Sequence, residues 1–91
     1  MIYKIEYTGS FKKDYKLALK RRYRESLMQE IIILLANGTS LPSKNKPHKL
    51  TGDYKDCWEC HVQPDWLLIW QIDINRNTLI LIRTGTHSDL F

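Results

Sequence analysis

The sequence predicts an α+β domain in which an N-terminal strand and a two-helix hairpin precede an antiparallel sheet meander, with both helices packed on one face. Three observations lead there. Apolar residues recur at three- and four-residue spacing from Phe11 to Leu35, then give way to strand-like runs after Asp56. The turns between those runs are short, which permits hairpins and excludes parallel crossovers among them. A chain of 91 residues, 43% apolar and 26% charged, has enough material for one core and too little for two, so residues 1–91 are expected to form a single domain. The same composition excludes a disordered tail and a collagen-like or coiled-coil rod.

Residues 1 to 7 alternate Tyr3, Ile5 and Tyr7 against Ile2, Lys4 and Glu6, as a short strand does. Thr8-Gly9-Ser10 supplies helix N-cap candidates, and Phe11, Tyr15, Ala18, Leu19 and Tyr23 form the apolar stripe of a first helix. Leu27, Ile31, Leu34 and Leu35, widened by Met28 and Ile32, form the stripe of a second, which Asn37-Gly38 stops. Thr39 to Pro47 reads as a loop. Strands are expected over Asp56 to Gln63, Trp66 to Ile74 and Thr78 to Thr84, with turns at Pro64-Asp65 and Asn75-Arg76-Asn77. The longest apolar run, Ile31 to Ala36, is far below the roughly 18 residues that cross a bilayer, and the N-terminus lacks the pattern of a secretory signal. A cytoplasmic protein with no membrane partner is the expectation.

Cationic residues exceed acidic ones by four, and the pI is about 9.2. Lys12, Lys13, Lys16, Lys20, Arg21, Arg22 and Arg24 place seven of the fourteen cations within thirteen positions. That density reads either as a solvated helix face or as a surface that tracks phosphates.

Cys57-Trp58-Glu59-Cys60 has the spacing of a redox dithiol or half a zinc site. On a strand, however, residues three apart point to opposite faces, and no second pair completes a tetrahedral site. Reduced structural cysteines are expected. The same alternation puts Trp58, Cys60 and Val62 on a core face and Cys57, Glu59, His61 and Gln63 on the other. Asp65 follows in the turn, and Arg83 and His87 leave the end of the last strand. His48, His61 and His87, with Glu59, Asp65, Arg83 and a basic helix, contain the parts of a phosphodiester cleavage that uses no metal or other cofactor. RNA brings its own nucleophile, the 2′-hydroxyl. An imidazole, with an ordinary pKa of about 6.5, removes or donates a proton near neutral pH, and a guanidinium stabilises charge gathering on phosphorus.

The blocks His48-Lys49-Leu50-Thr51-Gly52, Trp58 to Trp70 and Arg83-Thr84-Gly85-Thr86-His87-Ser88-Asp89-Leu90-Phe91, with the weaker Phe11-Lys12-Lys13-Asp14-Tyr15-Lys16, resemble the YafQ-type branch of the RelE/ParE toxin superfamily. The resemblance spans nearly the whole chain. It implies a RelE-like fold and a toxin of a type II toxin–antitoxin pair, a ribosome-dependent endoribonuclease that cuts mRNA. By position, His48, His61, Asp65 and His87 match the family's catalytic histidines and aspartate. Arg83 matches its phosphate-contacting arginine, Phe91 a terminal aromatic at the active site, and Glu59 an acidic position whose role stays open. Combined with the chemistry above, this makes His87 the general acid and His61 or His48 the base, with Asp65 or Glu59 orienting the base and Arg83 on the scissile phosphate. Lys12, Lys13, Lys16 and Lys20 would then contact ribosomal RNA. The implied partners are the ribosome, mRNA, a cognate antitoxin expected to be acidic where it touches this chain, and operator DNA for the toxin–antitoxin complex only. Two other readings compete. Gyrase-directed toxins of the same superfamily bind a protein and cut nothing, but lack the histidine set. A bare nucleic-acid-binding domain gives no reason for histidines grouped with acids.

Overall fold

In the computed structural model, which describes residues 2–91, the first strand is β1 (Lys4–Tyr7) and the first helix is α1 (Gly9–Lys20). Met1, included in the expected first strand, lies outside the described residues. Thr8 is the N-cap the sequence suggests: its hydroxyl accepts the Phe11 amide at 2.9 Å and donates to the Ile82 carbonyl at 2.7 Å. The second helix, α2 (Glu25–Ala36), ends at Asn37-Gly38. There the Gly38 and Thr39 amides donate back to Leu35 and Leu34 while Gly38 takes φ +69°, a stop that a side chain would strain. Strands β2 (His48–Lys49), β3 (Trp58–Gln63), β4 (Trp66–Asp73) and β5 (Thr78–Gly85) and a one-turn helix α3 (His87–Leu90) complete the chain. Among the described residues no helix is long and apolar enough to cross a membrane.

The sheet runs β1-β5-β4-β3-β2. The β3–β4–β5 meander is antiparallel as expected, and β2 extends it antiparallel beside β3. β1 makes the sheet mixed, because it lies parallel to β5. A parallel neighbour needs a long crossover, which the chain between β1 and β5 provides. β2 and α3 were not anticipated. β3 also starts at Trp58 rather than Asp56, because Asp56 adopts φ +68° and the Cys57 amide closes a turn on Tyr54.

α1 and α2 cover one face of the sheet. Phe11, Met28, Ile31 and Leu35 pack there on Cys60, Trp66, Leu68 and Leu81. The other face is less covered, with Leu67, Ile69 and Cys57 under Leu90 and, partly, Leu50 and Tyr54. β4 is therefore apolar on both faces from Trp66 to Trp70, as a central strand must be. Removing one of its fully buried leucine side chains is worth about 2–5 kcal/mol. Leu19, Leu34 and Trp58, expected in the core, are not among its buried residues. Leu19 is 42% exposed, because α1 lies along β5 and buries only the narrow stripe of Phe11 and Ala18. Trp58 stacks on Trp70 at 6.4 Å between centroids but stays 39% exposed, facing a groove with Tyr3, Leu41 and Pro47.

One irregularity matters for the site. The β4–β5 ladder slips between Ile69 and Trp70, so Ile69 faces Arg83 while Trp70 faces Leu81. Ile82 is the extra residue of a β-bulge. Without it Arg83 would share the helix-covered face with Leu81; with it, Arg83 turns to the Ile69 side.

Candidate active site

The less covered face carries two rows of polar residues. His48, Glu59, Ile69 and Arg83 are successive register partners across β2, β3, β4 and β5. His61, two residues beyond Glu59, begins the second row with Leu67 and Gly85, and His87 follows Gly85. The rows are about 7 Å apart, two residues along a strand.

Backbone acceptors set the histidine tautomers. His61 Nδ1 donates to the Pro64 carbonyl at 3.1 Å, leaving Nε2 as its free nitrogen. His48 Nδ1 donates to the Lys46 carbonyl at 2.9 Å, and its Nε2 stands 3.2 Å from Glu59 Oε1. Glu59 is 4% exposed, and its other oxygen, Oε2, is buried with no hydrogen-bond partner. The buried Asn45 side chain pins β3 beside the loop by donating to the His61 carbonyl at 2.8 Å.

His87 opens α3 immediately after its N-cap. Thr86 and Asp89 form a capping box, in which the Thr86 hydroxyl accepts the Asp89 amide and the Asp89 carboxylate accepts the Thr86 amide. Asp65 Oδ1 takes two hydrogen bonds from His87, one from the backbone N–H at 3.0 Å and one from Nδ1 at 2.6 Å. Those donors, the backbone amide foremost, hold the Asp65 carboxyl below its ordinary value, so an ionised acid fixes the ring with Nε2 outward. The His61 and His87 rings lie 5.6 Å apart, centroid to centroid.

His61, Asp65 and His87 thus form one group and His48 with Glu59 another, on the same face. The expected orienting roles change in one respect: Glu59 contacts a proposed base, His48, but Asp65 holds the proposed acid, His87. Arg83 is already engaged. Asp14 of α1 accepts its Nε at 2.6 Å and Nη2 at 3.1 Å, which leaves three of its five N–H donors free of that carboxylate. Phe91 is 65% exposed and meets Tyr54 edge to face at 5.8 Å. Lys12, Lys13, Lys16 and Lys20 are all exposed on α1, apart from the histidines. Asp14, Tyr54 and Asn45 were missed in the sequence. Asp14 alone left a signal there, as an acid inside a basic run.

The cysteines sit as the strand alternation requires. Cys60 lies in the helix-side core and Cys57 in the cluster on the other face. Burial pushes the Cys60 thiol up to about 12 and raises Cys57 as well. Among the described residues, no three His, Cys, Asp or Glu side chains converge as a metal-binding group.

A family model described as "Bacterial toxin of type II toxin-antitoxin system, YafQ" matches residues 3–91. The mRNA interferase toxin YafQ of Escherichia coli strain K12 is 42% identical over 88 residues, covering 96% of this chain and 94% of that protein. Among solved structures, a metal-bound toxin from Helicobacter pylori superposes with a TM-score of 0.92 at 42% identity, over 98% of this chain and 99% of that one. The E. coli DinJ–YafQ complex superposes with a TM-score of 0.89 at 40% identity, over 98% of each chain.

Proposed function

This chain belongs to the YafQ family of bacterial type II toxins, and from that premise we propose that it is an endoribonuclease that cuts mRNA on the ribosome by histidine acid–base catalysis. It is a toxin of a toxin–antitoxin system; the chemistry and its residues are our reading. The observation that carries the reading is the pair of imidazoles 5.6 Å apart, each with Nδ1 occupied by a hydrogen-bond acceptor and Nε2 free.

In this scheme His61 Nε2 removes the proton from a 2′-hydroxyl, whose oxygen attacks the adjacent phosphorus. His87 Nε2 gives its proton to the departing 5′ oxygen, so the products are a 2′,3′-cyclic phosphate and a free 5′-hydroxyl. Asp65 keeps the His87 ring oriented, its Nδ1 toward the carboxylate and its Nε2 toward the substrate. Arg83 offers its remaining N–H donors to the phosphoryl oxygens, where charge develops. The exposed Phe91 beside Tyr54 offers a ring face on which a base stacks, and the His48–Glu59 pair borders the same cleft. No metal takes part in these steps. The exposed lysines of α1 contact ribosomal RNA phosphates, and an acidic segment of the antitoxin neutralises the positive surface.

The test is His87→Ala in the full chain. Growth inhibition on expression and cleavage of ribosome-bound mRNA are expected to fall by about 10²–10⁴-fold, as for loss of a general acid, with an unchanged circular dichroism spectrum. Fragments from the unaltered toxin should carry 5′-hydroxyl ends. A fully toxic variant, fragments bearing 5′-phosphates, or gyrase-dependent DNA damage in place of cleavage would each overturn the reading.

A further inference from the structure

Two oppositely polarised ion pairs tie α1 and its C-cap to the end of β5 and to α3. Asp14 accepts Arg83 Nε and Nη2 at 2.6 and 3.1 Å and also the Thr84 amide at 3.2 Å, which β1, ending at Tyr7, leaves free. Seven residues later Arg21, the C-cap that closes α1, donates Nη1 and Nη2 to the Asp89 carboxylate at 2.7 and 3.3 Å. That carboxylate also accepts the Thr86 amide at 2.9 Å and so caps the turn that begins with His87. Residues seven apart share one face of a helix. The two pairs therefore bracket Gly85, Thr86 and His87 from one rigid element. Close packing shows at Gly85, where an added Cβ would lie 2.9 Å from Asp89 Cβ.

We infer that Asp14 and Arg21 are positioning residues, a two-point clamp through which α1 holds Arg83 and His87 in reacting geometry. The inference rests on the function proposed above and adds two residues to it. Neither touches the RNA in this scheme. Asp14 fixes the plane of the Arg83 guanidinium, and Arg21 acts on His87 through Asp89 and Thr86. α1 then joins two tasks, since its exposed lysines dock on the ribosome while its inner face aligns the groups that react.

Single-turnover cleavage on programmed ribosomes separates these tasks. Asp14→Ala and Arg21→Ala are expected to lower the rate at saturating ribosomes by about 10²-fold, the penalty for misplacing a reacting group by about an ångström. The half-saturating ribosome concentration should stay unchanged. Adding Asp14→Ala to Arg83→Ala should slow cleavage no further than Arg83→Ala alone, because the carboxylate acts through that arginine. Wild-type rates in the single variants, a change confined to half-saturation, or additive losses in the double variant would overturn the clamp. Should the alanine variants not fold, Asp14→Asn and NMR of the wild-type guanidinium groups decide the matter. Slow exchange of the Arg83 Nε proton and hindered rotation at its Nη groups are expected; a freely rotating, rapidly exchanging Arg83 refutes the inference. A cleaving His87→Ala variant would instead refute the proposed chemistry and leave the NMR result standing.

Discussion

Replacing Glu59 with methionine should make the protein more stable and less active. Glu59 is 4% exposed, it lies between His48 and Ile69 in the sheet register, and its Oε2 has neither solvent nor a donor. Burying a carboxylate costs several kcal/mol even after relaxation, and the contact that offsets it is one imidazole at 3.2 Å whose side chain is 48% exposed. A hydrogen bond to a charged group returns about 1.5–3 kcal/mol, which leaves the orphaned oxygen uncompensated. Methionine has nearly the same length, no polar atoms, and the flexibility to settle on Leu67 and Ile69. Exchanging buried ionic groups for apolar ones of similar volume is neutral or stabilising by up to about 4 kcal/mol, and His48 needs little rescue because water reaches it. A gain of about 2 kcal/mol is expected, a rise in Tm of about 10 °C for a chain of this size. Thermal and urea unfolding at pH 7 measure it. Cleavage on ribosomes should fall at the same time, by about 10²-fold, as His48 loses its acceptor. A Glu59→Met protein less stable than the parent by 1 kcal/mol or more, on the order of a lost hydrogen bond, would refute the reasoning, because Oε2 would then have a partner in solution.

The Arg21 guanidinium, then the Thr86 amide, hold Asp89 well below the usual carboxylate range. Its folded-state value is depressed, so the stabilisation is complete above the unfolded value of about 3.9 and is lost as pH falls through the folded one. Urea midpoints followed downward from pH 5 should therefore drop more steeply for the parent than for Asp89→Asn, and parallel curves would contradict the pairing. Neither cysteine should react quickly with an aromatic disulfide reagent at pH 8 in the folded protein, whereas both should react in urea; rapid labelling of the native chain would mean that the core around Cys60 opens. Charge reversal at Lys12 and Lys16 should weaken ribosome association in a salt-dependent way with little change in Tm, and unaltered binding would return α1 to a merely solvated face.

Local rules made most of the secondary structure readable. The three-and-four spacing with Thr8 at one end and Gly38 at the other defined the helices, and Pro64-Asp65 and Asn75-Arg76-Asn77 separated the strands of the meander. Leu19 misled because periodicity gives the apolar stripe but not the width of sheet available to cover it. The parallel pairing of β1 with β5 was not legible, since it depends on a partner more than seventy positions away. α3 had a signal that went unused: Thr86-His87-Ser88-Asp89 has the spacing of a capping box. In the site, strand alternation put Glu59 and His61 on one face in advance. It could not place Arg83, whose side depends on the Ile82 bulge, nor show that Asp65 serves His87, a contact across 22 residues.

The bond from Thr8 to Ile82 joins positions 74 apart, and the Asp14–Arg83 pair spans 69. Closing segments this long comes late in folding, after helices and hairpins have formed. His48 and His61 are aimed by nearby carbonyls, but no stretch emerging early carries Arg83 together with the Asp14 carboxylate that aims it. Under the proposed chemistry a half-made chain is inert, and cleavage switches on only as the first and last strands zip together.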